Sequence, residues 1–184
     1  AGLDPGKGAS AILELSHIIQ KLFALNDSGR GITVNVGTID GGLSPNVVAP
    51  QSTAVVDVRV PTREDAARIE QAIHALRAET PGTEVRVEGA VRRPPMERTP
   101  RNQRLWQLAK RGAEELGIEI DQAAAGGGSD GNTTSLFAPT LDGLGAVGAG
   151  AHAANEHLIL DRMVERSALL ARLLSFPPLD EVVP

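Results

Sequence analysis

The 184-residue sequence contains no cysteine and no tyrosine, and aromatic residues make up only 2% of it. The absence of cysteine excludes disulfides and thiolate metal sites, and it leaves the redox state of the compartment unconstrained. Because aromatic residues are so few, the core has to be built from leucine, isoleucine, valine and alanine. No apolar run approaches the roughly 20 residues that a membrane-spanning helix needs.

Neither sign of charge dominates the chain, since 18 basic and 23 acidic residues are interleaved and give a net charge of −5. That balance favours a soluble protein and excludes a basic surface for nucleic acid or for an anionic membrane. We expect no nucleic-acid or membrane partner, and of the compartments we favour cytoplasm over periplasm. The opening Ala1 to Pro5 has no initiator methionine, basic segment or apolar leader. We therefore expect a fragment of a longer protein.

The first half of the chain alternates between helical and strand periodicity. Apolar residues recur at helical spacing in two segments and alternate with polar residues in three others. The predicted elements are a helix over 9–26, strands over 32–36 and 54–60, a helix from the N-cap Thr62 to Pro81-Gly82, and a strand at 85–87. This order is that of a ferredoxin-like unit that lacks its first strand.

The second half follows a crossover segment, Arg92-Arg93-Pro94-Pro95, and is rich in glycine. We expect a domain boundary between residues 91 and 92. The predicted elements are a helix over 101–116, a strand over 118–123, a glycine loop at 126–128, a strand over 140–147 and a helix from Asp161 to Leu174.

Two generic motifs occur in this glycine-rich half. Residues 143–148 fit G-x-G-x-x-G, but a dinucleotide site needs a helix to start within the motif, and the next capped helix is predicted only at Asp161. Residues 127–131 fit the G-x-S-x-G nucleophile elbow, with Ser129 followed by Asp142 and His152. The short separation of Ser129 and His152 leaves no room for the intervening strands of an α/β-hydrolase. A serine hydrolase is therefore the less favoured alternative.

His152 is a candidate metal ligand, because it stands on a loop of small residues, Gly-Ala-His-Ala-Ala-Asn-Glu, through which an ion can approach. On its own the pattern also fits a loop histidine bonded to the backbone. His157 is a possible companion, whereas His17 and His74 lie on predicted helices elsewhere.

Several ordered motifs together resemble the zinc aminoacylase and carboxypeptidase family, which includes glutamate carboxypeptidase, acetylornithine deacetylase and succinyl-diaminopimelate desuccinylase. Residues 1–12 resemble the start of the lid, or dimerisation, domain of that family. The motifs that follow in the same order are Gly41-Gly42 with 44–50, Val56 to Arg59, Arg93-Pro94, Gly127 to Asp130, and Gly148 to Glu156. The resemblance covers nearly the whole chain.

The resemblance implies a fold and a set of site residues. The fold is α/β with an α+β lid: residues 1–91 correspond to the lid without its first strand, and residues 92–184 to the C-terminal part of the zinc-exopeptidase catalytic domain. His152 matches the last zinc ligand, and Glu156 matches a nearby supporting acid. Asn46 matches a lid residue that contacts substrate in the partner subunit's active site. Arg93 matches the position that binds a substrate carboxylate, for which a guanidinium is well shaped.

Gly127 and Gly128 match a loop that substrate approaches closely, so the resemblance implies substrate-binding roles for Asn46, Arg93, Gly127 and Gly128. Each of these residues also has a simpler interpretation, since Asn46 suits the turn after Pro45, Arg93 suits a solvated hinge, and the glycines suit a flexible connection. The paired charges of Asp57 and Arg59 are interpreted as structural.

The family uses two zinc ions, with cobalt or manganese as alternatives, to activate water for attack on an amide carbonyl. This sequence has no His-x-Asp ligand pair, and its single Glu-Glu, Glu114-Glu115, lies within a predicted amphipathic helix. The general base is therefore expected outside the chain. We expect this segment to bind no zinc tightly and to be inactive alone.

The resemblance thus predicts a metallohydrolase that acts on a small peptide-like or N-acyl amino acid substrate and forms a homodimer through its lid. The alternative from another class is a self-association module without catalysis.

Overall fold

In the computed structural model, residues 7–178 are described, and the chain divides into two compact units, Ala1–Pro95 and Met96–Pro184. The predicted boundary after residue 91 and the division after Pro95 differ by a few residues. The first part of the lid-like opening motif, residues 1–6, lies outside the described residues. No helix within the described range is both long enough and apolar enough to span a membrane.

The first unit contains two helices and a two-stranded antiparallel sheet. Its elements are α1 (Ala11–Phe23), β1 (Thr33–Gly41), β2 (Ser52–Arg59) and α2 (Arg63–His74). The helices begin where the sequence supplies N-caps, because the Ser10 and Thr62 side chains accept from the backbone N–H groups of Leu13 and Asp65. The helix–strand–strand–helix order confirms the mixed α+β class.

The sheet pairs β1 with β2 from Thr33 opposite Arg59 to Gly41 opposite Ser52, and the register shifts between Val36 and Thr38. One extra residue in β1 at this point forms a bulge. Every second residue of β2 is half-buried, which is the pattern of a strand with one face on a core.

The core of this unit is aliphatic, as the scarcity of aromatic residues requires. A buried cluster draws on α1, β1, α2 and the turn before β1, and half-buried side chains including Val56, Val58 and Val85 pack around it. The buried members of the cluster are Ile18, Leu22, Ile32, Val34 and Ile69.

Two buried carboxylates tie loops to this core. Glu14, 3% exposed, accepts from the N–H groups of Glu79 (3.1 Å) and Thr80 (2.7 Å) and from the Thr83 hydroxyl (3.3 Å). Burial raises the pKa of Glu14, but these hydrogen bonds outweigh it and hold the pKa at about 2.

Asp65 is the second of these carboxylates. A hydrogen bond from the Thr62 hydroxyl lowers its pKa, burial opposes the shift, and the charge of Arg30, at 2.7 Å, lowers the pKa further.

The segment 85–87, predicted as a strand, is paired in no sheet of the described structure, so the strand assignment was wrong. Val85 and Val87 are half-buried, while Glu84, Arg86 and Glu88 are exposed, so the predicted alternation is present. A strand is defined by main-chain bonds to a partner as well as by alternation, and within the described residues this segment has no strand partner.

The second unit is mainly helical, with a small hairpin near its end. Its elements are α3 (Pro100–Glu115), the short α4 (Gly131–Thr134), the paired strands β3 (Gly148–Ala149) and β4 (His157–Leu158), and α5 (Leu160–Leu174). Helices α3 and α5 pack together through Leu108, Ala109, Ala113 and Leu169, each of which is buried.

Side-chain contacts of Arg172 close the end of this helix pair. Its Nε lies 2.6 Å from Glu115 Oε2, and its guanidinium carbon lies 4.0 Å from the centre of the Phe176 ring. The hydrogen bond from Arg172 lowers the pKa of the Glu115 carboxyl. Glu115 therefore has a structural partner.

Three predictions for this unit were wrong. Residues 118–123 and 140–147 form no strand, and the strand of the hairpin begins only at Gly148. Helix α5 starts at Leu160 with Ile159 at the N-cap and no side-chain cap, so Asp161 lies inside its first turn. An acid in the first turn is still favourable, because it faces the positive end of the helix dipole.

Candidate functional site

The most distinctive backbone among the predicted site residues belongs to His152. It lies on the loop between β3 and β4, and its φ of 64° is in the left-handed region that non-glycine residues rarely adopt. Its own N–H donates to Glu156 Oε2 at 3.3 Å. The carboxylate of Glu156 thus helps to hold the loop, in a supporting position beside the candidate ligand.

The loop that carries His152 is closed by main-chain bonds. Ala153 N donates to Gly150 O (2.8 Å), Glu156 N to Ala153 O (3.0 Å), and Ile159 N to Val147 O (2.8 Å). At the base of the hairpin, a Cβ added to Gly148 would overlap the carbonyl oxygen of His157, so only glycine fits there.

A complete metal site needs several ligating side chains close together. Within residues 7–178, no group of three or more histidine, cysteine, aspartate or glutamate side chains is placed to hold an ion. His157, the possible companion of His152, has its Nδ1 3.0 Å from the Asn155 carbonyl oxygen. The described residues therefore do not fit a metal on their own, and His152 supplies at most one ligand.

The glycine loop at 126–128 runs into the short helix α4. A side chain at Gly127 would meet nothing within 4 Å, so this part of the loop is open on that side. Ser129 caps the next turn: its N–H donates to Asn132 Oδ1 (2.8 Å), and its Oγ accepts from Gly131 N (3.0 Å). The element that precedes Ser129 in the described structure is the helix α3 and not a strand, so the strand–turn–helix context of a nucleophile elbow is absent there.

Asn46 and Arg93 belong to the first unit. Asn46 is exposed in the connection between β1 and β2, where its Oδ1 accepts from Ser44 Oγ at 2.6 Å. Arg93 is exposed in the segment that follows α2. Both side chains face solvent, which a substrate contact requires and a structural role in a turn or hinge equally permits.

The structure brings only some of the predicted residues into one unit. Gly127, Gly128 and His152 lie in the second unit, whereas Asn46 and Arg93 lie in the first. A groove of about 520 Å³ in this unit is lined mostly by apolar residues of α3, α5 and the segment 138–144, and it contains none of the five predicted residues.

Sequence reasoning missed Asn102, a buried residue of α3 that positions the segment leading to the hairpin. Its Nδ2 donates to Glu97 O (2.9 Å), and its Oδ1 accepts from Thr140 N (2.9 Å). The available signal was an amide on the apolar stripe of an amphipathic helix, because a buried amide needs partners for both of its ends.

Comparison with known proteins identifies the first unit. Residues 1–85 match the family described as the peptidase dimerisation domain. These residues, a little under half of the chain, thus resemble a peptidase dimerisation domain. The resemblance inferred from the ordered motifs is thereby confirmed.

Relatives extend the likeness beyond the dimerisation domain. Carboxypeptidase G2 of Pseudomonas sp. (strain RS-16) is 26% identical over 182 residues, or 95% of this chain and 43% of that protein. The Bacillus subtilis protein YqjE is 26% identical over 178 residues, covering 95% of this chain and 47% of its own length. The chain thus spans less than half the length of these relatives.

Solved structures share the fold. The aminopeptidase PepT of Bacillus cereus has a TM-score of 0.63 and 21% identity, with 94% of this chain and 47% of that chain covered. A tripeptidase of Staphylococcus aureus gives 0.60 and 21%, over 92% of this chain and 46% of its own. Both support the α+β assignment around the dimerisation domain.

Proposed function

We propose that this chain belongs to a metal-dependent hydrolase that cleaves an amide bond in a small peptide-like or N-acyl amino acid substrate. The observation that carries the proposal is the peptidase dimerisation domain at residues 1–85, together with the 26% identity to carboxypeptidase G2 along 95% of the chain. The proposed metal is zinc, with cobalt or manganese as alternatives.

His152 is the residue that this chain would contribute to the metal. Its exposure and its fixed left-handed backbone on a closed loop support the proposal, because a ligand held in one geometry loses little freedom on binding. A bound zinc ion would polarise the scissile carbonyl and activate water. The remaining ligands and the general base would come from outside the described residues.

The substrate roles follow from chemistry and exposure. Arg93 would pair with a free carboxylate through its planar guanidinium, and Asn46 would donate from its amide to substrate in the partner subunit's site. Gly127 and Gly128 would let substrate approach the backbone, which the open space around Gly127 permits.

Hydrolysis of peptide-like and N-acyl glutamate substrates, measured with and without a chelator, tests this function. Full-length protein should hydrolyse them and lose activity on chelation, whereas residues 1–184 alone should show neither activity nor tight zinc. Chelator-sensitive hydrolysis by residues 1–184 alone would contradict the account of the site. Failure of the full-length protein on every such substrate would contradict the proposed reaction.

Arg93 can be tested separately in the full-length enzyme. Arg93→Ala should raise KM for a substrate with a free carboxylate about tenfold or more, while an amide-capped analogue should be affected much less. Equal effects on both substrates would assign Arg93 to the hinge.

The second candidate is self-association without catalysis, which the dimerisation-domain match also favours. The proposed homodimer forms through α1 and the outer edge of β1, where Ile39 (61% exposed) presents an apolar side chain. Zinc content separates the candidates, because a purely associating protein needs no metal even at full length.

A further inference from the structure

Three Asp-Gly pairs occur in the sequence, at residues 40–41, 130–131 and 142–143. At such a pair an aspartate reacts readily with its own backbone, because glycine has no side chain to obstruct the nitrogen that follows the aspartate. All three aspartates are exposed, so solvent reaches each of them. The pairs differ in how the fold holds the backbone around them.

The first pair lies in a strand. Asp40 and Gly41 belong to β1, where Asp40 is paired with Thr53 and Gly41 with Ser52 of β2. The Ser52 hydroxyl also donates to the Asp40 carbonyl oxygen at 3.1 Å. This pairing keeps the backbone extended, and bending it into a ring would break the pairing at this end of the sheet.

The second pair lies at the start of a helix. Asp130 is the N-cap of α4, with φ −66° and ψ −23°, and its carbonyl oxygen accepts from the N–H groups of Thr133 (2.9 Å) and Thr134 (3.0 Å). The Gly131 nitrogen, which would have to react, donates to Ser129 Oγ at 3.0 Å. A reaction at Asp130 therefore requires local opening of this turn.

The third pair lies in an irregular segment, 141–146, that is anchored only at its two ends. At one end, Thr140 N donates to Asn102 Oδ1 at 2.9 Å. At the other end, the Val147 carbonyl oxygen accepts from Ile159 N at 2.8 Å. Within the part of the chain that the structure describes, no main-chain hydrogen bond engages residues 141–146. A change of backbone conformation at this pair therefore breaks no such bond.

The reacting groups of the third pair are unobstructed. Gly143 has a φ of 73°, a left-handed conformation that suits glycine, and a Cβ built on it would meet nothing within 4 Å. Among the residues that the structure describes, none forms a hydrogen bond or an ion pair with the Asp142 carboxylate. Closure of a ring between these two residues requires a carboxyl group and a nitrogen that are free in this way.

We propose that Asp142 isomerises spontaneously to isoaspartate. The Gly143 nitrogen attacks Cγ of the Asp142 carboxyl group, and the new bond closes a succinimide ring while the hydroxyl leaves as water with the proton of the nitrogen. Water then adds to the main-chain carbonyl carbon of Asp142, whose bond to the nitrogen breaks, so the chain continues through the former side chain. The water lost on closure is regained, so no other reactant is needed and the mass is unchanged.

The fold accommodates the product at this position. Isoaspartate adds one methylene to the main chain and turns the original main-chain carboxyl into the side group. In β1 the extra atom would shift the strand register, and in α4 it would break the turn. Between Thr140 and Val147 the extra atom changes neither anchor, because no main-chain bond within the described structure lies between them.

The test follows isoaspartate at the three pairs during incubation of the chain at neutral pH, both native and in concentrated urea. Peptide mapping against synthetic standards measures the product, since the isomers have the same mass but separate on chromatography. In the native chain, isoaspartate should form at Asp142 about tenfold or more faster than at Asp40 or Asp130, because those two require local opening. In urea the three rates should become similar. Asp142→Glu is the matched control: it keeps the charge, but its larger ring closes much more slowly.

The rates at the three pairs decide the outcome. Similar rates in the native chain would overturn the proposal, and so would a native rate at Asp142 more than about tenfold below its rate in urea. A preference for Asp142 that persists in urea would arise from the neighbouring sequence and not from the fold, and it would also overturn the proposal. An undiminished signal from the same peptide of Asp142→Glu would overturn the assignment to Asp142.

Discussion

Glu14 is the residue at which the stability of the first unit depends most directly on a single charge. Its carboxylate holds the loop at 79–83 through three donors, and its pKa is about 2 against an ordinary value of 4.5. Because the pKa of Glu14 is lower in the folded protein than in the unfolded chain, its ionised carboxylate stabilises the fold at pH values above about 4.5. This stabilisation is lost as the pH falls from about 4.5 towards about 2.

Glu14→Gln should lower the free energy of unfolding at neutral pH by roughly 1–3 kcal/mol, because the amide NH₂ faces donors that it cannot satisfy. Urea denaturation at several pH values checks this result. Below pH 4.5 the stability of the variant should decline less steeply than that of the wild type. The decline due to Asp65 should remain, because the pKa of Asp65 is lowered as well. Glu114→Gln, at an exposed position, is the matched control and should change little. A wild-type pH profile in Glu14→Gln would contradict this role.

A substitution at His152 can distinguish its role in the loop backbone from its proposed role as a metal ligand. Asparagine tolerates left-handed backbone better than most residues, so His152→Asn should keep the free energy of unfolding within about 1 kcal/mol. In the full-length enzyme, the same change should lower chelator-sensitive hydrolysis by about two orders of magnitude or more.

Thermal denaturation and initial rates provide the two readouts for His152→Asn. His157→Asn on the neighbouring strand is the comparison and should retain activity. An active His152→Asn enzyme would remove this histidine from the proposed metal site.

At the scale of elements, local pattern predicted the helices and only part of the sheet. The long helices follow from apolar spacing and caps such as Thr62, which are properties of contiguous sequence. The strands predicted at 118–123 and 140–147 failed because pairing depends on main-chain partners elsewhere, and no local pattern reveals those.

The candidate site shows the same division. The motif order selected His152, but neither its left-handed φ nor its bond to Glu156 is encoded in that motif. Asn102 was missed because its two partners lie on separate segments, at Glu97 and Thr140.

The α3–α5 pair depends on Arg172 for both a charge contact and a ring contact. Arg172→Ala should lower the free energy of unfolding by about 1–2 kcal/mol, from the lost ion pair with Glu115 and the lost stacking on Phe176. Arg172→Lys keeps the charge but lacks the planar group, so it should fall in between. Chemical denaturation gives the free energies of unfolding. Arg104→Ala, at an exposed position of α3, is the control. A lysine variant as stable as the wild type would show that stacking contributes nothing.

At the scale of the whole molecule, the match of residues 1–85 to a peptidase dimerisation domain predicts association. We expect analytical ultracentrifugation to show a dimer, and Ile39→Asp to weaken it about tenfold or more, because a buried carboxylate would be left unpaired at the interface. The matched control is Val164→Asp, since Val164 is a comparably exposed apolar residue on α5. Equal weakening in both variants, or none in either, would place the interface elsewhere; circular dichroism should show no change in either variant.

The two strands of the short hairpin approach each other closely at Gly148, and this close pairing restricts the loop that carries His152. The loop between β3 and β4 is short and is closed by the paired strands, so the His152 side chain has few positions available to it. Gly148→Ala would force β3 and β4 apart at the carbonyl of His157. The loop between the strands would then be less tightly closed, although His152 itself is unchanged. We expect this methyl group alone to broaden the NMR signals of the His152 ring and to reduce hydrolysis by the full-length enzyme, whereas Gly145→Ala, at a position with open space, should do neither.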